Sequence, residues 1–221
     1  MIYAPIERPD DWQRFLADPE KQWREGYSAH MIAHTWQNAN GFPMEVQRLF
    51  VNTSDFSSIE PLLILPEHKV PLPGGSRPSQ NDIWILAKAG DKLVSISVEG
   101  KVKETFGPTV AEWSKDASHG KKERLGYLCR KLGIEKTCDG DIRYQLLHRT
   151  ASAIIEAERF MARHAIMLVH SFSTTNEGSG DYYKFANQIG VAAKLDEIVH
   201  VGTLDGIELH IGWVSGKDAV Y

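Results

Sequence analysis

The spacing of apolar residues changes period several times along the chain, and each change marks an element. Between residues 18 and 40, Trp23, Tyr27, Met31 and His34 share one stripe of a 3.6-residue period, while Ala29, Ile32 and Trp36 supply a second apolar side. This predicts one long, largely buried helix ended by Gly41 and Pro43. The run EPLLIL (60–65) reads as a short apolar strand, and PLPGGSRPSQ (71–80) after it as a breaker-rich loop. Residues 82–87 (DIWILA) predict a second strand and 89–92 (AGDK) a hairpin turn. Residues 93–98 (LVSISV), alternating with period two and running on towards 103, predict a third strand. Helical periodicity returns at 109–132, with a break near 118–120. It is clearest at 141–164, where Ile142, Leu146, Ala153, Ala157 and Phe160 share a face and Asp141 is the expected N-cap. AIMLVHSF (165–172) has the continuous apolar character of a strand buried on both faces. A helix at 182–194 and a strand at 206–214 complete the expected elements.

This order, a helix, three strands, helices and a further strand, predicts an α/β (α+β) fold. An antiparallel meander is packed by helices, and a parallel strand joins its sheet through a helical crossover. With 221 residues, 42% of them hydrophobic and no repeat or long linker, one domain over 1–221 is expected. No apolar run approaches the roughly 20 residues that span a bilayer, and the N-terminus has no signal core, so no membrane association is expected. The two cysteines, Cys129 and Cys138, match no zinc spacing and make no disulfide framework, which points to a cytoplasmic protein. A net charge of −4 argues against strong non-specific binding to phosphate backbones. Between 115 and 136, however, seven basic residues face three acidic ones, a local field able to hold a polyanion. A solvated helix face has the same composition.

Chemistry concentrates at the hairpin. Asp82 opens the second strand, and Glu99 and Lys101 close the third. Pairing about the 89–92 turn sets Asp82 opposite the neighbourhood of Glu99. Glu99 and Lys101, two apart, project from one face. Two carboxylates and an ammonium group at one hairpin end suit metal-assisted phosphodiester hydrolysis. Hard oxygen ligands hold Mg²⁺, and a lysine orients water and offsets charge on phosphorus. A surface hairpin with ordinary charges is the competing interpretation. Glu104 is a candidate third acid.

The stretch QNDIWILAKAGDKLVSISVEGKVKETFG resembles the core signature of the PD-(D/E)xK nucleases, the superfamily that contains many restriction endonucleases. Asp82 matches the aspartate at the start of the second core strand, Glu99 the variable acidic position and Lys101 the motif lysine. Asn81 stands where the family's proline is expected. The resemblance implies a restriction-endonuclease-like core, a mixed central sheet flanked by helices in the order α-β-β-β-α-β. The topological match runs over about 20–172, and a C-terminal helix and strand are additional. It implies Asp82 and Glu99 as ligands of Mg²⁺ (or Mn²⁺), Lys101 as the third catalytic residue, and DNA or RNA as substrate; a homodimer is compatible with it. On the 141–164 helix, Gln145 and Arg149 lie where the superfamily often places a glutamine or basic residue facing the metal, although a solvated helix border would look the same. Glu25, in the first helix, is a further candidate ligand, with an ion pair to Arg24 as the alternative. The second function class is a catalytically inactive nuclease-fold module that binds nucleic acid or protein, which the acidic net charge favours.

Other motifs carry less. His30 and His34 are one helical turn apart, but Met31 stands where a zincin helix needs glutamate, so both are expected to pack within the helix layer. Pro73-Gly74-Gly75-Ser76 lacks the lysine of a phosphate-binding loop, although that loop and Arg77 are placed to flank the site. No Ser-His-Asp arrangement is recognisable, and the six tryptophans are expected mainly in the core.

Overall fold

A computed structural model describes residues 2–134 and 138–216. The two hairpin segments and the apolar run before them pair as an antiparallel meander of β1 (Glu60–Val70), β2 (Ser79–Ala89) and β3 (Lys92–Lys101). Gly90, at φ +61°, makes the tight β2–β3 turn, a conformation that costs an L side chain strain. After a helical crossover through α4 (Val110–Ser114), α5 (His119–Lys131) and α6 (Tyr144–Arg159), β4 (His164–Ser171) pairs parallel to β3. Beyond α7 (Ser179–Gln188) come β5 (Glu197–Leu204) and β6 (Ile207–Ser215), with β6 parallel to β4 and β5 antiparallel at the edge. The six-stranded mixed sheet has the order β1-β2-β3-β4-β6-β5, and the protein is of α+β class.

Each face of the sheet buries its own core. On one side, α2 (Ser28–Ala39) and α3 (Met44–Val51) bring Ile32, Trp36 and Phe50 onto Ile85, Val94 and Ile96. On the other, α5, α6 and α7 bring Leu128, Leu147 and Tyr182 onto Met167, Val169 and Trp213. Every residue of β4 is buried, as its unbroken apolar run requires.

The structure departs from the sequence pattern in six places. The helix expected over 18–40 is two pieces, α1 (Pro19–Gln22) and α2, because the chain turns at Gly26, φ +78°. Pro43, read as a terminator, is instead the N-cap of α3, since a proline before the first turn gives up no helical hydrogen bond. Helix α6 begins at Tyr144, with Arg143 and not Asp141 as its N-cap, and ends at Arg159, where Met161 at φ +53° turns the chain into β4. Helix α7 lies a few residues earlier than expected. Strand β5 was not apparent because a half-exposed edge strand carries no apolar alternation. Cys129 and Cys138 also depart from expectation: they form a disulfide, with Cα atoms 6.5 Å apart. Gly133, at φ +67°, reverses the chain after α5 and carries Cys138 back over the helix end, a closure that spacing alone does not reveal. Among the described residues, no helix is long and apolar enough to cross a membrane.

Candidate active site

The β2–β3 ladder closes at Ile83 and Val98, so Asp82 and Glu99 are the next residues beyond it, at one end of the sheet. Asp82 Oδ2 accepts a hydrogen bond of 2.7 Å from the Gly100 amide, tying the two strand ends together. Glycine suits this position, since an added Cβ would lie 3.0 Å from Ile32 Cδ1 and 3.4 Å from that Asp82 oxygen and would crowd both.

Glu99 does not lie on a solvated hairpin. It is 2% exposed and Lys101 5% exposed, beneath α6. Lys101 Nζ donates to Glu99 Oε1 at 2.5 Å and Gln145 Nε2 to the same oxygen at 2.6 Å; Arg149 Nε donates to Oε2 at 2.5 Å. Helix periodicity explains the pairing, since Gln145 and Arg149 are one turn apart on the face of α6 that meets β3. Burial alone would raise the Glu99 pKa, but Arg149 and Lys101 outweigh it and hold the carboxyl below its usual range. Burial likewise opposes the Arg149 charge, and Glu99 and Asp82 more than restore it.

A third acid sits in this site, and the sequence pattern did not reveal it. Between the pairs Pro66–Ile83 and His68–Asn81 the β1–β2 ladder skips Glu67 and Asp82, and Glu67 has a left-handed backbone, φ +50°. Such a conformation is strained for a residue with a side chain, and strain of this kind collects at functional sites. Glu67, Asp82 and Glu99 therefore follow one another across three adjacent strands. Burial, then the charge of Glu99, raises Asp82 to about 7. Burial, then the charge of Asp82, lifts Glu67 well above the usual carboxylate range, although Gln80 donates to its Oε2 at 2.7 Å. The missing signal was register. β1 runs five residues beyond the apolar run that predicts it, and a loop separates it from β2.

Glu67, Gln80, Asp82, Glu99, Lys101, Gln145 and Arg149 line one cavity of about 320 Å³, and most of its remaining wall comes from the N-terminal segment, including Leu16, Lys21 and Tyr27. Glu104 also lines it, but its carboxylate caps the chain, accepting from the amides of Ser28 (2.8 Å) and Val102 (2.9 Å). Glu25 does not line this cavity. Nor does Arg77. The 71–80 loop turns its carbonyls inward, those of Pro73 and Gly75 accepting from Arg124, while Gly74 packs on Gly120 where a Cβ would lie 2.1 Å from the Gly120 carbonyl oxygen. A loop presenting carbonyls holds a guanidinium, not a phosphate. The His30 and His34 rings lie 4.3 Å apart and tilted, and both pack on Trp23, with His34 stacked on it, as helix-packing residues do. Of the basic 115–136 segment, Glu135 and Lys136 lie outside the described residues; Arg124 is buried in the loop contact and Lys131 pairs with Glu158.

Among the described residues, no group of three or more His, Cys, Asp or Glu is arranged to hold a metal ion. Mg²⁺ does not require one, since it retains several waters and takes one or two protein carboxylates together with substrate phosphate. Asp82 Oδ1 and Glu67 Oε1 accept no hydrogen bond from the described residues, and two carboxyls raised by burial and a neighbouring acid's charge are donors that a cation would relieve. The donor set fits a hard divalent cation.

No curated protein and no solved structure matches the chain. A family model described as a domain of unknown function (DUF6946) matches residues 5–218, which include all six strands and every residue of the cavity, and the chain belongs to that family.

Proposed function

We propose that the protein is a Mg²⁺-dependent phosphodiesterase acting on nucleic acid, DNA or RNA, with a PD-(D/E)xK-type centre. The observation that carries this reading is the succession of Glu67, Asp82 and Glu99 across three adjacent strands, with Lys101 bonded to Glu99 in the same cavity. The element order α-β-β-β-α-β supports it. Asp82 and Glu67 would hold the cation, with Glu99 at its edge. The ion would supply neutralisation of the scissile phosphate and acidification of water. Lys101 and Arg149 place two positive charges beside the acids, where they offset charge growing on the phosphorus oxygens. Gln145 orients Glu99.

The test is cleavage of single- and double-stranded DNA and RNA with Mg²⁺, Mn²⁺ or chelator. Asp82→Ala and Lys101→Ala should each abolish metal-dependent cleavage while the fold persists. Equal cleavage by the wild type and both variants would sink the reading.

One observation favours a second reading, a nuclease-fold module without catalysis that binds nucleic acid or protein. Both Glu99 oxygens are already bonded to side chains. Titration with Mn²⁺ separates the two. Binding that Asp82→Asn removes favours the enzyme, and no binding in the wild type favours the module.

A further inference from the structure

A second cavity, of about 310 Å³, adjoins the acidic one and shares Lys101, Gln145 and Arg149 with it. The two differ in character. The first holds four acids, whereas the second has no acidic lining residue and adds Phe106, Tyr144 and His148 to the shared cations. Arg149 is spent only in part: its Nε and Nη1 bond Glu99 and Ser79, and its Nη2 makes no hydrogen bond to the described residues. Cation chemistry and anion chemistry therefore lie on opposite sides of one wall.

The N-terminal segment walls one side of the first cavity. The N-terminal segment is tied to β2 by the Phe15 carbonyl, which accepts from Gln80 Nε2 (3.3 Å). It is tied to the chain after β3 by the Ser28 amide, which donates to Glu104 (2.8 Å). Between these tethers it supplies Leu16, Ala17, Lys21, Gln22 and Tyr27 to the cavity wall. A phosphate in a duplex arrives with its paired strand and stacked bases, which this strap obstructs. A single strand has no such companion, and its bases are free to stack on protein aromatics. Tyr27 is 42% exposed at this wall, with the Arg24 guanidinium 5.8 Å from its ring centre.

We infer that the two cavities form one path for a single-stranded polynucleotide: Tyr27 takes an unstacked base at the strap, and the Lys101–Arg149 side holds the neighbouring phosphate in the second cavity. This rests on the phosphodiesterase reading and adds the substrate's strandedness and a subsite.

The experiment compares Mg²⁺-dependent hydrolysis of three probes: a small chromogenic phosphodiester, a labelled single-stranded oligonucleotide and the same oligonucleotide annealed to its complement. The wild type should cleave the single strand at least about tenfold faster than the duplex, a ratio of the size one stacked base provides. Thr105→Trp, which fills the second cavity from an exposed position, and Tyr27→Ala should each slow single-strand cleavage several-fold, with folding verified by thermal melting. Duplex cleavage as fast as single-strand cleavage overturns the inference and leaves the phosphodiesterase standing. So does unchanged single-strand cleavage in both variants. Failure to hydrolyse any of the three probes overturns the phosphodiesterase reading and this inference with it.

Discussion

Arg149 Nε lies 2.5 Å from Glu99 Oε2, and both residues are more than nine-tenths buried, so helix α6 and strand β3 are joined by a desolvated ion pair. Taking two charges out of water is costly, but Lys101 and Gln145 still bond Glu99 when Arg149 is removed. Arg149→Met therefore takes away one charged hydrogen bond and should destabilise the protein by about 1.5–3 kcal/mol. The double variant Glu99→Gln/Arg149→Met should lose less stability than the two single variants summed, because the pair is removed together, although Lys101 then lacks its carboxylate. Urea unfolding of the four proteins in the cycle measures it, and an Arg149→Met variant as stable as the wild type would contradict the pairing.

Burial raises both Asp82 and Glu67, with the charge of Glu99 adding at Asp82 and that of Asp82 adding at Glu67. Without divalent cation at neutral pH, Asp82→Asn should raise stability by about 1 kcal/mol, a melting shift of roughly 2–4 °C for a chain of this size. Added Mn²⁺ should raise the melting temperature of the wild type and leave that of Asp82→Asn unchanged. A cation-induced shift of equal size in both proteins would place the ion elsewhere.

His210 supplies a pH dependence away from the cavity. Burial, then the neighbouring His164 and His200, depress its pKa to about 4, and its Nε2 lies 3.2 Å from His164 Nδ1. In the unfolded chain it titrates near the ordinary 6.5. The folded state thus binds fewer protons between these values. Its stabilising contribution is complete above about 6.5 and is lost as the pH falls towards 4, amounting to at most about 3 kcal/mol. Denaturation midpoints measured across that window should decline less steeply for His210→Gln.

The Cys129–Cys138 bridge closes a short loop at the end of α5. Closing a loop of that length restricts the unfolded chain by about 2.5 kcal/mol, and Cys138 is also part of the core against α6. Reductant, or Cys129→Ser, should lower the melting temperature. A wild-type protein indifferent to reductant would show that the bridge contributes nothing in solution.

Periodicity alone was enough for the meander, the crossover and the strand at 165–172, because each buries a face whose spacing, two or 3.6 residues, is written locally. The same applies to the proximity of Asp82, Glu99 and Lys101, since a two-residue turn between paired strands fixes register by counting. Gln145 and Arg149 were visible through the family resemblance as helix residues facing the site, but not as partners of Glu99, because the height at which α6 crosses β3 depends on the packing of both faces. Glu67 was out of reach altogether. It meets Asp82 across a loop whose course is set by the Arg124 contact to its carbonyls, and its left-handed backbone has no signature in a glutamate. The sequence by itself thus determined the α+β order and the hairpin acids, through local periods and one tight turn. Only the tertiary structure decided that Glu99 is buried and bonded on both oxygens and that Glu67 joins Asp82, because those contacts join elements far apart in the chain.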